Sequence, residues 1–135
     1  MNAPQRGLSL IELLLVVAVV GMLAGIAYPS YTDQVRRAAR AEAVATLQDS
    51  ALRLERHYSR AGQYHDSEAL ITPLPPGSRY YSLVTERGGE TFRLVARRLP
   101  GGLLAQDRCG DFMLDQAGVQ GHQGASGDTA GCWGS

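Results

Sequence analysis

Hydrophobic residues crowd the first quarter of the chain, and their pattern changes twice along its length. From Leu13 to Thr32 no charged residue occurs, and "LLLVVAVVGMLAGIAYPSY" is apolar almost throughout. At 1.5 Å per helical residue, ~20 such residues match the ~30 Å hydrocarbon core of a bilayer. The pattern therefore predicts a helix of membrane-spanning length. One carboxylate, Glu12, stands near its start. A charge at the centre of a membrane helix costs roughly 2.5–3.5 kcal/mol and less towards the ends, so a retained acid there calls for a partner. Gly21, Gly25 and Pro29 fall within the run. Glycine costs about 1 kcal/mol against alanine and proline removes a backbone donor, so this is the weakest segment of the helix.

After Asp33 the pattern becomes amphipathic. Val44, Leu47, Ala51, Leu54 and Tyr58 follow helical spacing on one face, with Arg53, Arg56 and Arg60 opposite. Gly62 is the predicted stop. A proline-containing connection follows, with a short helical turn expected at 66–70. "RYYSLVTE" and "TFRLVAR" read as two strands around "RGGE", whose glycine pair suits a tight turn. In the second strand Phe92, Leu94 and Ala96 alternate with Arg93, Val95 and Arg97, the period of a half-buried strand. "DFMLD" reads as a third strand, followed by the turn "QAG" and a glycine- and serine-rich tail that would be floppy alone and that a Cys109–Cys132 bridge should hold against the sheet. The predicted fold is α+β, one long amino-terminal helix packed through its amphipathic half on a small antiparallel sheet.

Composition narrows the function classes. The 135 residues allow one domain plus an anchor, and the formal charge balances at 13 basic against 13 acidic residues, with no lysine. No excess of either sign points to nucleic acid or to an anionic surface. The apolar run is too long for a secretory h-region and holds Glu12, so a retained anchor is favoured over a cleaved signal. Arg36, Arg37 and Arg40 follow the run while Arg6 alone precedes it, and the positive-inside rule by itself favours the reverse of an exported carboxy-terminal part. Two cysteines, Cys109 and Cys132, are the available staple for a small core. If the chain beyond the anchor is exported, a disulfide is their expected state, worth roughly 3–3.5 kcal/mol for a loop of about 24 residues. Two buried free thiols are the alternative.

The stretch "RGLSLIELLLVVAVVGMLAGIAYPSY" resembles the amino-terminal signature of type IV prepilins. In that family a polar leader ends in glycine and the mature helix carries glutamate at its fifth position. Here Gly7 would end the leader, Leu8 would begin the mature chain in place of the usual phenylalanine, and Glu12 is the fifth residue. "SRYYSL", "DRCGDFMLDQAGV" and "GCW" look like the minor pilins of the PilE type. The resemblance implies cleavage between Gly7 and Leu8 and N-methylation by a prepilin peptidase. It implies a leader at 1–7, a transmembrane and filament-core helix at 8–32, and a periplasmic or extracellular head at 33–135. It implies an inner-membrane precursor, an assembly platform in that membrane, and a helical filament shared with major and minor pilins. Glu12 would pair with a neighbour's amino terminus and set axial register, since burying both charges together avoids an unpaired carboxylate. Residues 21–29 would be able to lose helicity in the filament.

The function so implied is that of a minor pilin that primes or caps pilus assembly, serving twitching motility or adhesion. A major pilin, a type II secretion pseudopilin, a DNA-binding competence pilin and a signal-anchored periplasmic domain are the alternatives. No phosphate loop, nucleophile elbow or paired-carboxylate motif is present, so neither an enzyme nor a cofactor is expected. His57, His65 and His122 form no ligand spacing with each other or with cysteine, and read as surface residues rather than metal ligands. Arg36, Arg37 and Arg40, then Arg53, Arg56 and Arg60, then Arg97 and Arg98 could contact DNA phosphates. With no interleaved aromatics, a solvated face or salt bridges between subunits is favoured. Replacing Glu12 tests the register directly: Glu12→Ala should insert and be cleaved normally, yet be depleted from fibres when both fractions are immunoblotted.

Overall fold

The structure is a computed structural model that describes residue 7 and residues 9–134. The proposed leader residues 1–6 and Leu8 lie outside the described residues. One helix, α1 (Leu10–Ala61), is followed by β1 (Tyr81–Arg87), β2 (Phe92–Arg98), β3 (Asp111–Asp115) and β4 (Gln120–Gln123). The chain divides into two compact units, Met1–Val35 and Arg36–Ser135.

In the first unit every side chain from residue 9 to residue 31 is exposed, including Leu10, Leu14, Val17, Leu23 and Ile26. The helix is long and apolar enough to cross a membrane. It passes through Gly21, Gly25 and Pro29 without interruption, although Pro29 offers no N–H to the carbonyl four residues back. Thr32 donates its hydroxyl to the Tyr28 carbonyl at 3.0 Å.

The second unit holds the core. The four strands form an antiparallel meander in the order β1-β2-β3-β4. Tyr81, Phe92, Leu94, Ala96, Phe112 and Leu114 are buried on one face of the sheet and cluster with the buried residues of α1. Each such large side chain contributes ~1.5–3 kcal/mol by leaving water.

The buried stripe of α1 runs through Ala39, Ala43, Leu47, Ser50, Leu54 and His57, with Val44 beside it. It is rotated from the predicted stripe, leaving Ala51 and Tyr58 only partly buried at its margin. Small residues at 39, 43 and 50 let the helix approach closely, a signal that large apolar positions alone do not carry. The exposed positions of Arg53, Arg56 and Arg60 agree with the pattern. Gly62 ends the helix at φ 72°, and its N–H donates to the Tyr58 carbonyl at 2.8 Å, the left-handed closure that glycine permits.

Four details differ from the sequence reading. Residues 66–70 form no helical turn, only a bend at 68–69, and Asp66 instead accepts from the Thr72 N–H at 2.9 Å. The first hairpin closes through four residues, 88–91, with the Gly88 N–H donating to the Thr91 carbonyl. Its two glycine carbonyls accept from the His65 and Tyr64 N–H groups, so the hairpin also docks the connecting loop. Val95 is buried on the outer face of the sheet, where Val84 and Met113 flank it across the neighbouring strands. The tail contains β4, paired with β3 along Asp111–Gln123, Phe112–His122, Met113–Gly121 and Leu114–Gln120.

The turn Gln116, Ala117 and Gly118 that leads into β4 is where the sequence puts it. Asp115 Oδ1 accepts from the Ala117 and Val119 N–H groups, and Gly118 takes φ 74°. Gly110 also faces a strict demand. Its φ is 68°, and a Cβ there would lie 2.5 Å from the Gln123 carbonyl oxygen and 2.6 Å from the Ala125 nitrogen. Gly110→Ala should therefore lower unfolding free energy by at least ~2 kcal/mol, combining left-handed strain with a backbone clash. Denaturation followed by the fluorescence of Trp133, the single tryptophan, measures it.

Candidate functional site

The amino-terminal candidates begin at the first turn of α1. Ser9 stands immediately before the helix, and its Oγ accepts from the Glu12 N–H at 3.2 Å. The Leu13 N–H donates to the Ser9 carbonyl at 3.0 Å, the first intrahelical bond among the described residues. "SLIE" thus has the spacing of a capping box, with Glu12 in the acidic position favoured beside the positive end of the helix dipole. The cap was legible in the sequence as serine three residues before glutamate, ahead of an apolar run. Gly7 lies outside the helix. Gly21 and Gly25 have nothing within 4 Å of where a Cβ would stand, so no neighbour within the chain requires glycine there.

In the second unit Cys109 and Cys132 form a disulfide, with Cα atoms 5.9 Å apart. Both are buried. Arg108 donates to the Asp128 carbonyl at 2.7 Å, and Trp133 packs edge-on to Phe112 at 5.4 Å between ring centres. The tail is thereby held at three points. Arg40 forks onto Asp107 just before Cys109, with Nε to Oδ2 at 2.8 Å and Nη2 to Oδ1 at 2.5 Å. Burial pushes the Asp107 carboxyl up, but the Arg40 hydrogen bond and charge outweigh it, and the group is held below the ordinary carboxylate value.

Two of the three arginine clusters of the sequence are split, each losing one member to a partly buried pair. Arg40 is committed to Asp107, and Arg98 to Asp111 at 2.9 Å and to the Ala105 carbonyl. These two are partly buried struts, a correction to the solvated face read from the sequence. Arg53 pairs with Asp49 on its own helix at 3.0 Å. Arg53, Arg56 and Arg60 line an open groove with Leu70, Ile71, Thr72 and Pro73. Arg87, which sequence reasoning passed over, clamps the connecting loop: it donates to the Tyr64 and Thr72 carbonyls and forks onto Asp66. Asp66 is held below its ordinary value by the Thr72 N–H, and further by Arg87.

His57 overturns its surface assignment. It is 1% exposed, with Nδ1 2.8 Å from the Thr72 hydroxyl and Nε2 2.9 Å from the His65 carbonyl. Nε2 must carry the proton to satisfy that carbonyl, so Nδ1 accepts from Thr72 in the neutral ring. His122 is half-buried and bonded to the Cys109 carbonyl. Among the described residues no group of histidine, cysteine and acidic side chains could hold a metal. Burial and a bond to Glu55 push the Tyr64 hydroxyl up to about 12, and a bond to Glu90 raises Tyr58. These perturbed groups are tied to structural partners; they serve packing and loop attachment.

The family model "Prokaryotic N-terminal methylation motif" matches residues 2–28. The model "Type IV minor pilin ComP, DNA uptake sequence receptor" matches residues 29–113, more than half of the chain. The type IV major pilin protein PilE1 of Neisseria gonorrhoeae is 36% identical over 78 residues, 58% of this chain and 47% of that protein. A fimbrial protein of Neisseria meningitidis serogroup B is 38% identical over 92 residues, 66% of this chain and 54% of that protein. The chain thus spans about half the length of these curated relatives. The non-core minor pilin PilV of Neisseria meningitidis shares the fold, with a TM-score of 0.56 at 22% identity, over 73% of this chain and 96% of that one. One amino-terminal helix on a four-stranded antiparallel sheet, behind a methylation motif, defines a pilin. The chain belongs to the type IV minor pilin family that the second model describes.

The pair between Arg40 and Asp107 gives a measurable pH dependence. A carboxylate held below its unfolded value stabilises the fold fully above that value, near 4, and the stability is lost as pH falls through the folded value. Asp107→Asn should cost ~3 kcal/mol at neutral pH, the low end for a broken buried pair because Arg40 keeps some exposure. Its denaturation midpoint should also fall less steeply than the wild type's between pH 5 and pH 2, the range of carboxylate titration.

Proposed function

We propose that this chain is a low-abundance subunit of a type IV pilus that primes or caps filament assembly. The carrying observation is the methylation motif ending in an apolar helix whose side chains find no cover within the chain. An exposed surface of that kind needs lipid before assembly and other helices after it. In this reading residues 1–7 are a leader, and a prepilin peptidase cuts between Gly7 and Leu8 and methylates the new amine. Residues 8–32 anchor the precursor in the inner membrane, where Tyr28 and Tyr31 suit the headgroup level, and later join the filament core. Residues 33–135 form the head, periplasmic before assembly and extracellular afterwards. Glu12 pairs with a neighbouring subunit's amino terminus, and residues 21–29, with Pro29 withholding one donor, are where the helix yields in the filament.

Partners are major and minor pilins, the peptidase and the inner-membrane assembly platform, for motility or adhesion. The role is structural rather than enzymatic. A second reading, a DNA-binding competence pilin, is favoured by the description of the family model that matches residues 29–113. Arg56 and Arg60, exposed beside the open groove, are among the arginines available for phosphates. A salt-dependent gel shift separates the readings, since phosphate contacts weaken steeply with salt.

Mass spectrometry of sheared surface fibres tests the main proposal. The expected result is a methylated peptide beginning at Leu8, present in small amount relative to the main fibre protein. A chain that stays in the membrane fraction with residues 1–7 attached would remove the pilin role in favour of an anchored periplasmic domain.

A further inference from the structure

Ser9 has a consequence for the bond two residues before it. An α-helix extended one turn upstream would give the Glu12 N–H to the carbonyl of residue 8 and the Ile11 N–H to the carbonyl of Gly7. The structure diverts the first of these bonds: Ser9 Oγ accepts from the Glu12 N–H at 3.2 Å. Among the described residues, the first backbone carbonyl to enter the helix is that of Ser9 itself, through the Leu13 N–H. Gly7 lies outside the helix. Its carbonyl is the group a peptidase must attack to cut between Gly7 and Leu8, and a carbonyl engaged in a helix is both shielded and hydrogen-bonded.

We infer that Ser9 is a positioning residue for processing: its hydroxyl stops the helix and keeps the Gly7 carbonyl out of the backbone ladder. The inference rests on the prepilin reading. In an apolar or interfacial setting the N–H groups of the first turn need acceptors. With Ser9 reduced to alanine, the remaining methyl group offers none, and the nearest carbonyls are those of the preceding turn. The helix then grows upstream and withdraws the scissile carbonyl. The peptidase meets a cleavable conformer that is only fractionally populated, which raises apparent KM by the reciprocal of that fraction and leaves kcat alone.

The test uses the full-length precursor in phospholipid vesicles with a prepilin peptidase, comparing wild type, Ser9→Ala and Ser9→Thr. Ser9→Ala should raise KM about fivefold, the worth of a typical N-cap, with kcat unchanged. Ser9→Thr, which keeps the hydroxyl, should restore KM. A second measurement reads the conformation without any enzyme. Isoleucine occurs only at 11, 26 and 71, so 15N-isoleucine labelling isolates the Ile11 N–H in micelles. Its hydrogen exchange should slow in Ser9→Ala relative to wild type.

Equal KM values for wild type and Ser9→Ala, or a loss confined to kcat, would overturn the positioning role alone. Unchanged Ile11 exchange would do the same. A wild-type precursor left uncut would overturn the prepilin reading, and the positioning role with it.

Discussion

The fork between Arg40 and Asp107 is the contact on which the second unit depends. It joins α1 to the residue two places before Cys109, and so fixes the start of the disulfide loop against the helix. From that point the backbone has no latitude. Cys109 is fully buried, Gly110 turns in the left-handed region under the β4 segment, and Asp111 begins β3 while holding Arg98. Moving the fork would displace the disulfide, the third strand and the fourth together. Burying such a pair is costly unless both oxygens are used, and here both are, each by a different guanidinium nitrogen.

A second strut governs the other end of the same unit. Arg87, at the end of β1, binds two carbonyls and a carboxylate of the connecting loop, while His57 reaches the same loop from the helix. Tyr64 anchors this loop in the core and Leu74 packs against it, and hydrogen bonds fix the polar stretch between them. Hydrogen bonds to charged groups contribute more than neutral ones, about 1.5–3 kcal/mol each, and one arginine can therefore order many residues. Against the upward push of burial, Arg40 holds Asp107 below its ordinary value, and the Thr72 N–H, helped by Arg87, does the same for Asp66.

The sequence disclosed the long-range plan because that plan is written in periodicity. The apolar run, the helix stop at Gly62, three strands and the turn at Gly118 each carry a local signal. What it concealed depends on pairs distant in the chain. Neither Arg40 and Asp107 nor Arg87 and Asp66 can be matched from spacing. Three arginines near one another in sequence suggest a basic patch, although Arg40 turns inward. β4 is hidden because "QGHQ" has no apolar alternation; it exists through pairing with β3, and a polar edge strand needs only a partner backbone. His57 reads as exposed because a lone histidine carries no sign of burial, and Thr72 and the His65 carbonyl that satisfy it are known only from the fold. At the amino terminus the opposite holds: serine before the helix and glutamate in its first turn declare the cap locally.

The meander order of the sheet bears on how the head acquires its shape. Each strand pairs with the strand made just before it, and β1 follows the helix that covers it. Structure can therefore accumulate in the order in which the chain emerges, without waiting for a distant segment to arrive. Topologies with near neighbours in contact close short loops and fold quickly. The link to Cys132, 23 residues beyond Cys109, is the exception and belongs to the end of that sequence of events. A chain released early would have its helix and first three strands in place while its cysteines were still unjoined, leaving the oxidising machinery one short, already aligned loop to close.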